Sequence, residues 1–136
     1  MFRALLISLC LVVLPTNSYA IGVCKGGNYV ARSATCIYDG DTGWQGGTKW
    51  RTLGVDTPEI DNGAACSRER KLGKAARDRL IALMNGGYEV VWGGKTDKYG
   101  RYLVDVILSN GQNASEILKQ EGLAQNWPNS GNIWCN

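Results

Sequence analysis

The sequence predicts a single α+β domain, mainly β, in which five strands form a small closed barrel and two helices pack against it. Three observations carry this expectation. Short strand patterns with glycine turns fill the first half, a long helical pattern interrupts them, and two further strands and a short helix follow. A chain of 136 residues, 44% hydrophobic and 20% charged, suits one folded unit rather than a disordered tract.

Taken in order, the first 20 residues read as an export signal and not as part of the fold. Arg3 supplies a basic start, residues 4–14 are apolar, and Pro15 breaks the run. Ser18-Tyr19-Ala20 places small residues at the −3 and −1 positions of a signal-peptidase site. The apolar run is too short to span a bilayer as a helix. A lipoprotein modified at Cys10 fits poorly, because bulky Leu9 precedes it and the run would be cut in half. The expected mature domain therefore spans residues 21–136, cleaved after Ala20, with no membrane association thereafter.

Residues 29–38 alternate loosely and end in Cys36-Ile37-Tyr38, which reads as the first strand. Trp44-Gln45, the Gly46-Gly47 pair and residues 48–53 read as a hairpin with a two-residue glycine turn. Pro58 stops its second arm, and residues 59–65 look like a loop. From Ser67 to Met84 the apolar positions Leu72, Ala75, Ala76, Leu80, Leu83 and Met84 recur at helical spacing, closed by Asn85-Gly86-Gly87. Residues 88–92 and 102–108 read as strands. Asn113 followed by Glu116 makes a capping-box-like start for a short helix to Glu121, ended by Gly122. All five strands are expected to pair antiparallel.

The chain has no histidine, which removes Ser-His-Asp triads, Cys-His pairs and HExxH zinc sites. Catalysis would have to run on carboxylates, Arg, Lys, Tyr or a metal held by oxygen. Without the signal the cysteines form an even set, Cys24, Cys36, Cys66 and Cys135, which in an exported small domain reads as two disulfides. Three connectivities are open. Cys24–Cys36 with Cys66–Cys135 is favoured, the second tying residue 135 back to the middle of the chain. Zinc is disfavoured, since there is no CxxC spacing and no histidine.

Two acidic segments fall where strands run into loops: Asp39-Gly40-Asp41-Thr42 and Asp56-Thr57-Pro58-Glu59. Clustered carboxylates with Thr and carbonyl oxygens suit a hard cation such as calcium or magnesium, although both segments are also ordinary turn chemistry. An EF-hand is excluded, because its glycine would fall on Trp44 and its last glutamate on Trp50. A P-loop is excluded as well, since the first glycine required before Gly94-Lys95-Thr96 falls on Glu89. Between Arg68 and Arg101 nine Lys or Arg stand against four acids. On the helix this reads as a solvated face. The loop Lys95-Thr96-Asp97-Lys98-Tyr99-Gly100-Arg101 instead sets cations and an aromatic around a turn, which suits phosphate contact with stacking.

Four ordered motifs then carry a resemblance: Asp39-Gly40-Asp41-Thr42; Arg51 with Asp56-Thr57-Pro58-Glu59; Asp97-Lys98-Tyr99-Gly100-Arg101; and Glu121-Gly122-Leu123-Ala124. Over about residues 36–125 the chain resembles the thermonuclease (staphylococcal-nuclease-like) family, and its cysteines resemble those of exported, disulfide-containing bacterial members. The resemblance implies a five-stranded OB-fold barrel and a calcium-dependent endonuclease that cuts DNA and RNA and leaves 3′-phosphates. It implies one Ca2+ ion held by Asp41, Asp56 and the Thr57 carbonyl, with Asp39 close behind. Glu59 would activate water, Arg51 and Arg101 would grip the scissile phosphate, and Lys98 and Tyr99 would touch a terminal phosphate. The expected protein is a secreted or periplasmic monomer. An inert nucleic-acid or protein-binding module on the same fold is the alternative, and such a copy would be expected to lose one of these acids or arginines. The hairpin between Thr42 and Arg51 is shorter than in the staphylococcal relative. The two tyrosines lining the base pocket of that relative find no counterpart, and Trp127 is the nearest aromatic.

Overall fold

Alternation along the strands decides which side chains make the core. In the computed structural model, which describes residues 20–136, strand β6 (Tyr102–Leu108) buries Val104, Val106 and Leu108 on one face. Helix α1 (Ser67–Met84) buries Gly73, Ala76, Leu80 and Met84 at three- and four-residue intervals. The β6 residues with Leu80 and Met84 meet Ile37, Trp50 and Val55 from the strands, and Ala114 and Leu118 from helix α2 (Ala114–Gln120), in one core.

The remaining strands are β1 (Cys36–Ile37), β2 (Thr42–Gln45), β3 (Thr48–Thr52), β4 (Val55–Asp56), β5 (Tyr88–Thr96) and β7 (Gln125–Asn126). A five-stranded mixed sheet runs β1-β2-β3-β6-β5, and β4 pairs with β7 in a separate two-stranded ladder. Tyr88 Oη lies 3.0 Å from Gln45 Oε1, drawing β5 back toward β2 as in a sheet curling toward a barrel. Gly46 and Gly47 both take positive φ (54° and 84°), so the β2–β3 hairpin turns where the glycine pair stands. Among the described residues no helix is long and apolar enough to cross a membrane.

Three expectations are corrected. The strands are not all antiparallel: β3 pairs parallel with β6, Trp50 opposite Tyr102 and Thr52 opposite Val104. Between them the chain runs through α1 and β5, the long crossover that a parallel pair needs. The expected strand at 29–38 shrinks to Cys36–Ile37. Asn28 and Ser33 take φ near 49°, and Arg32, Ser33 and Ala34 donate back to Asn28, Val30 and Tyr29, folding the segment into turns. Strand β5, expected to stop at Trp92, continues to Thr96 with an irregularity that absorbs Gly93 and Gly94.

Both disulfides form with the favoured pairing, Cys24–Cys36 and Cys66–Cys135. Cys66 also caps α1, its Sγ accepting from the Glu69 N–H at 3.4 Å. At α2 the Asn113 side chain accepts from the Ser115 N–H at 2.9 Å. The signal-peptide reading of residues 1–20, with Cys10, lies outside the described residues apart from Ala20 itself.

Candidate active site

Asp39-Gly40-Asp41 forms a tight turn between β1 and β2. Asp39 Oδ1 accepts from the Asp41 N–H at 3.1 Å, which fixes the turn and sends the Asp41 side chain inward. Asp41 is 2% exposed and both of its oxygens are engaged: Oδ1 accepts once, from the Thr42 hydroxyl at 2.9 Å, while Oδ2 accepts twice, from Arg51 Nη1 and the Thr57 N–H, each at 3.1 Å. Thus the β1–β2 turn, β3 and the segment after β4 are tied at one carboxylate. Burial first, and the neighbouring Asp41 charge second, push the Asp39 carboxyl well above its usual range.

Arg51 leaves β3 opposite Thr42 and is clamped at two further points. Its Nη2 donates to the Val55 carbonyl at 3.1 Å, and its guanidinium lies 5.9 Å from the centre of the Trp127 ring. Asp56 sits opposite Gln125 in the β4–β7 ladder. Its Oδ2 accepts from Gln125 Nε2 at 3.2 Å and Asn129 Nδ2 at 2.9 Å.

Glu59 is seated by α1. At Gly73 the helix presses so close that a Cβ there would stand 2.5 Å from the Glu59 carbonyl oxygen and 2.7 Å from that of Pro58. Only glycine permits this approach. Glu69, buried on the same helix, accepts from the Ala65 N–H at 2.8 Å and the Glu59 N–H at 3.4 Å. The Glu59 carboxyl is raised above its ordinary value by burial first and by the Asp41, Asp56 and Glu69 charges next, with Arg51 pulling the other way.

The fourth piece is the turn between β5 and β6. Asp97 Oδ1 accepts from the Tyr99 and Arg101 N–H groups at 2.9 and 3.0 Å, and its Oδ2 accepts from Arg101 Nε at 2.6 Å. Engaging Nε leaves the terminal Nη pair of Arg101 free of Asp97, the fork suited to two phosphate oxygens. Lys98 and Arg101 both approach the Tyr99 ring, at 5.1 and 5.4 Å from its centre.

These pieces meet at one cleft of about 530 Å³, lined by Arg51, Asp56, Glu59, Asp97, Lys98, Tyr99, Arg101 and Trp127. Asp41 and Thr57 lie buried beneath it, linked through Arg51, and Asp39 is one step further back. All the sequence-derived site residues therefore belong to one connected cluster, six of them on the cleft wall. Among the described residues no three His, Cys, Asp or Glu side chains stand together as a metal-binding group. The expected ligand set has only two carboxylates and a backbone carbonyl. Its donors are all oxygen; the Thr57 hydroxyl, which is not one of them, is buried with no hydrogen-bond partner among the described residues. Oxygen donors of this kind are the chemistry of a hard, partly hydrated divalent cation such as calcium.

Residues 49–132, more than half the chain, match the family model described as staphylococcal nuclease homologue. The chain belongs to this family. No curated protein matches it. The matched stretch of this staphylococcal nuclease homologue holds Arg51, Asp56, Thr57, Glu59, Lys98, Tyr99 and Arg101; Asp39 and Asp41 precede it and are joined to it by the contacts above.

Sequence reasoning assigned no role to four side chains that build the site. The pairing of Asp97 with Arg101 had a usable signal, an acid four residues before a base. Glu69 sat among solvated charges and gave none. Gln125 and Asn129 reach Asp56 across 69 and 73 residues, and no local pattern marks them.

Proposed function

We propose that this staphylococcal nuclease homologue is an exported, calcium-dependent endonuclease that hydrolyses phosphodiester bonds of DNA and RNA, leaving 3′-phosphates. The observation that carries the reading is the convergence of Arg51, Glu59, Arg101, Lys98 and Tyr99 on one cleft with Asp56. Two disulfides in so small a domain support an oxidising destination, in keeping with cleavage after Ala20.

Glu59 takes a proton from the attacking water as its oxygen bonds to phosphorus, and the bond to the 5′-oxygen breaks, that oxygen leaving with the bonding pair and taking a proton from solvent to become the 5′-hydroxyl. Arg51 and Arg101 hold the non-bridging oxygens and answer the charge these gain in the transition state. Lys98 and Tyr99 take a neighbouring phosphate. Asp41, Asp56 and the Thr57 carbonyl would hold the calcium ion, which when bound supplies positive charge against the reacting phosphate. Clamping by Asp41 and Asp97 keeps both guanidiniums oriented before substrate arrives, so little ordering remains to be done at the reaction step.

The test is cleavage of DNA and RNA with calcium and then with chelator, beside Glu59→Gln. Chelation should abolish cleavage while circular dichroism stays unchanged, because the core of Trp50, Leu80 and Val106 does not include the acids. Glu59→Gln should cut turnover yet keep nucleotide binding, since it removes the base and no phosphate contact. If the wild-type protein binds DNA but cleaves no faster than Glu59→Gln, the chain is a binding module on this fold and the enzyme reading is wrong.

A further inference from the structure

The segment after α2 runs as a strap over the acidic side of the cleft. Its ladder with β4 sets Gln125 opposite Asp56, the Trp127 N–H bonds to the Gly54 carbonyl at 2.9 Å, and Cys135 ties its far end to the start of α1. Between these anchors both amide donors land on the same oxygen of Asp56. Each amide is itself fixed. Gln125 Nε2 also donates to the Gly131 carbonyl at 3.1 Å, and Asn129 Nδ2 to the Asn126 carbonyl at 3.0 Å. Asn129 Oδ1 in turn accepts from the Gly131 N–H at 2.9 Å.

We propose that Gln125 and Asn129 are positioning residues for the cation, acting through Asp56. The proposal rests on the calcium reading of the site given above. Two donors on Oδ2 stop the carboxylate from rotating and leave Oδ1, which has no hydrogen bond among the described residues, as its available ligand atom. The contrast with Asp41 is informative. Asp41 is held partly by a guanidinium, whose positive charge offsets its own. Asp56 is held by neutral amides, which orient it without reducing the negative charge it offers a cation. Partners that orient a metal ligand in this way are worth on the order of 10- to 100-fold in metal affinity.

The test is calcium titration calorimetry on the full chain and on Asn129→Ala, Gln125→Met and the double variant, with turnover measured across calcium concentrations. Gln125→Met keeps the length and volume of the side chain and removes only the amide, so it carries the test if Asn129→Ala lowers the melting temperature. Each single variant should bind calcium about 10-fold more weakly, and the double variant nearer 100-fold. Turnover should fall at low calcium and be regained when calcium is raised. Unchanged calcium affinity in the double variant overturns the proposal and leaves the calcium reading standing. So does a loss of turnover that added calcium does not restore. Wild-type protein that takes up no calcium overturns the calcium reading itself, and the positioning role with it.

Discussion

Replacing Cys66 and Cys135 together by serine should destabilise the domain more than the same change at Cys24 and Cys36. Serine at position 66 still offers an acceptor to the Glu69 N–H that Cys66 Sγ now takes, so the helix cap survives and the change isolates the cross-link. The two bridges close loops of very different size, with sequence separations of 69 and 12. Chain-entropy reasoning then assigns about 4 kcal/mol to Cys66–Cys135 and about 3 kcal/mol to Cys24–Cys36. Together they are comparable with the whole stability of a small domain, about 5–15 kcal/mol, so the fully reduced protein should be marginal at best. Urea unfolding followed by tryptophan emission measures both losses, with Trp50 and Trp134 as buried reporters. Equal losses, or a larger loss for the Cys24–Cys36 pair, would refute the assignment of most cross-linking stabilisation to the strap.

Arg101→Lys keeps the charge but loses the fork, so turnover should drop on the order of 100-fold in a nucleotide-release assay, the scale of one oriented donor. Gly73→Ala should cost about 1–3 kcal/mol in urea unfolding, because the new Cβ meets two backbone carbonyls that cannot both retreat; it should also slow turnover by shifting Glu59. For Asp97, burial works to raise the carboxyl, but the donors of Arg101 and Tyr99 outweigh it and hold it below its ordinary value. The turn is therefore fully stabilised above the ordinary aspartate range and loosens as pH falls through the lowered native value. A carboxyl chemical-shift titration should place Asp97 below a model aspartate.

What the sequence disclosed depended on how local the determinant was. Helix α1 was legible to its ends because Leu80, Met84 and the Asn85-Gly86-Gly87 stop all act within a few turns of chain. The Gly46-Gly47 hairpin and β6 were legible for the same reason. Strand direction was not, because alternation in β3 and β6 looks the same whichever way the partner runs; only the intervening α1 and β5 decide it. Strands β4 and β7 are two residues each, too short for any period to show, yet they are what brings Gln125 to Asp56. The turns at 28–34 override a weak alternation within the loop closed by Cys24 and Cys36, where Tyr29 packs on Trp44, ring centres 5.1 Å apart. In the site, the acids and arginines announced themselves by clustering. Their neutral supports did not, because an amide has no distinctive spacing and here acts from the far end of the chain.

The strap also sets a schedule. The strap follows every other part of the site along the chain, so the parts made first are completed by those made last. Asp41, Arg51 and Glu59 are synthesised early, whereas the amides that fix Asp56 and the cysteine that anchors them follow α2. A chain lacking its last residues would therefore keep Asp41, Arg51 and Glu59 but not the amide of Asn129 on Asp56 or the Cys135 anchor.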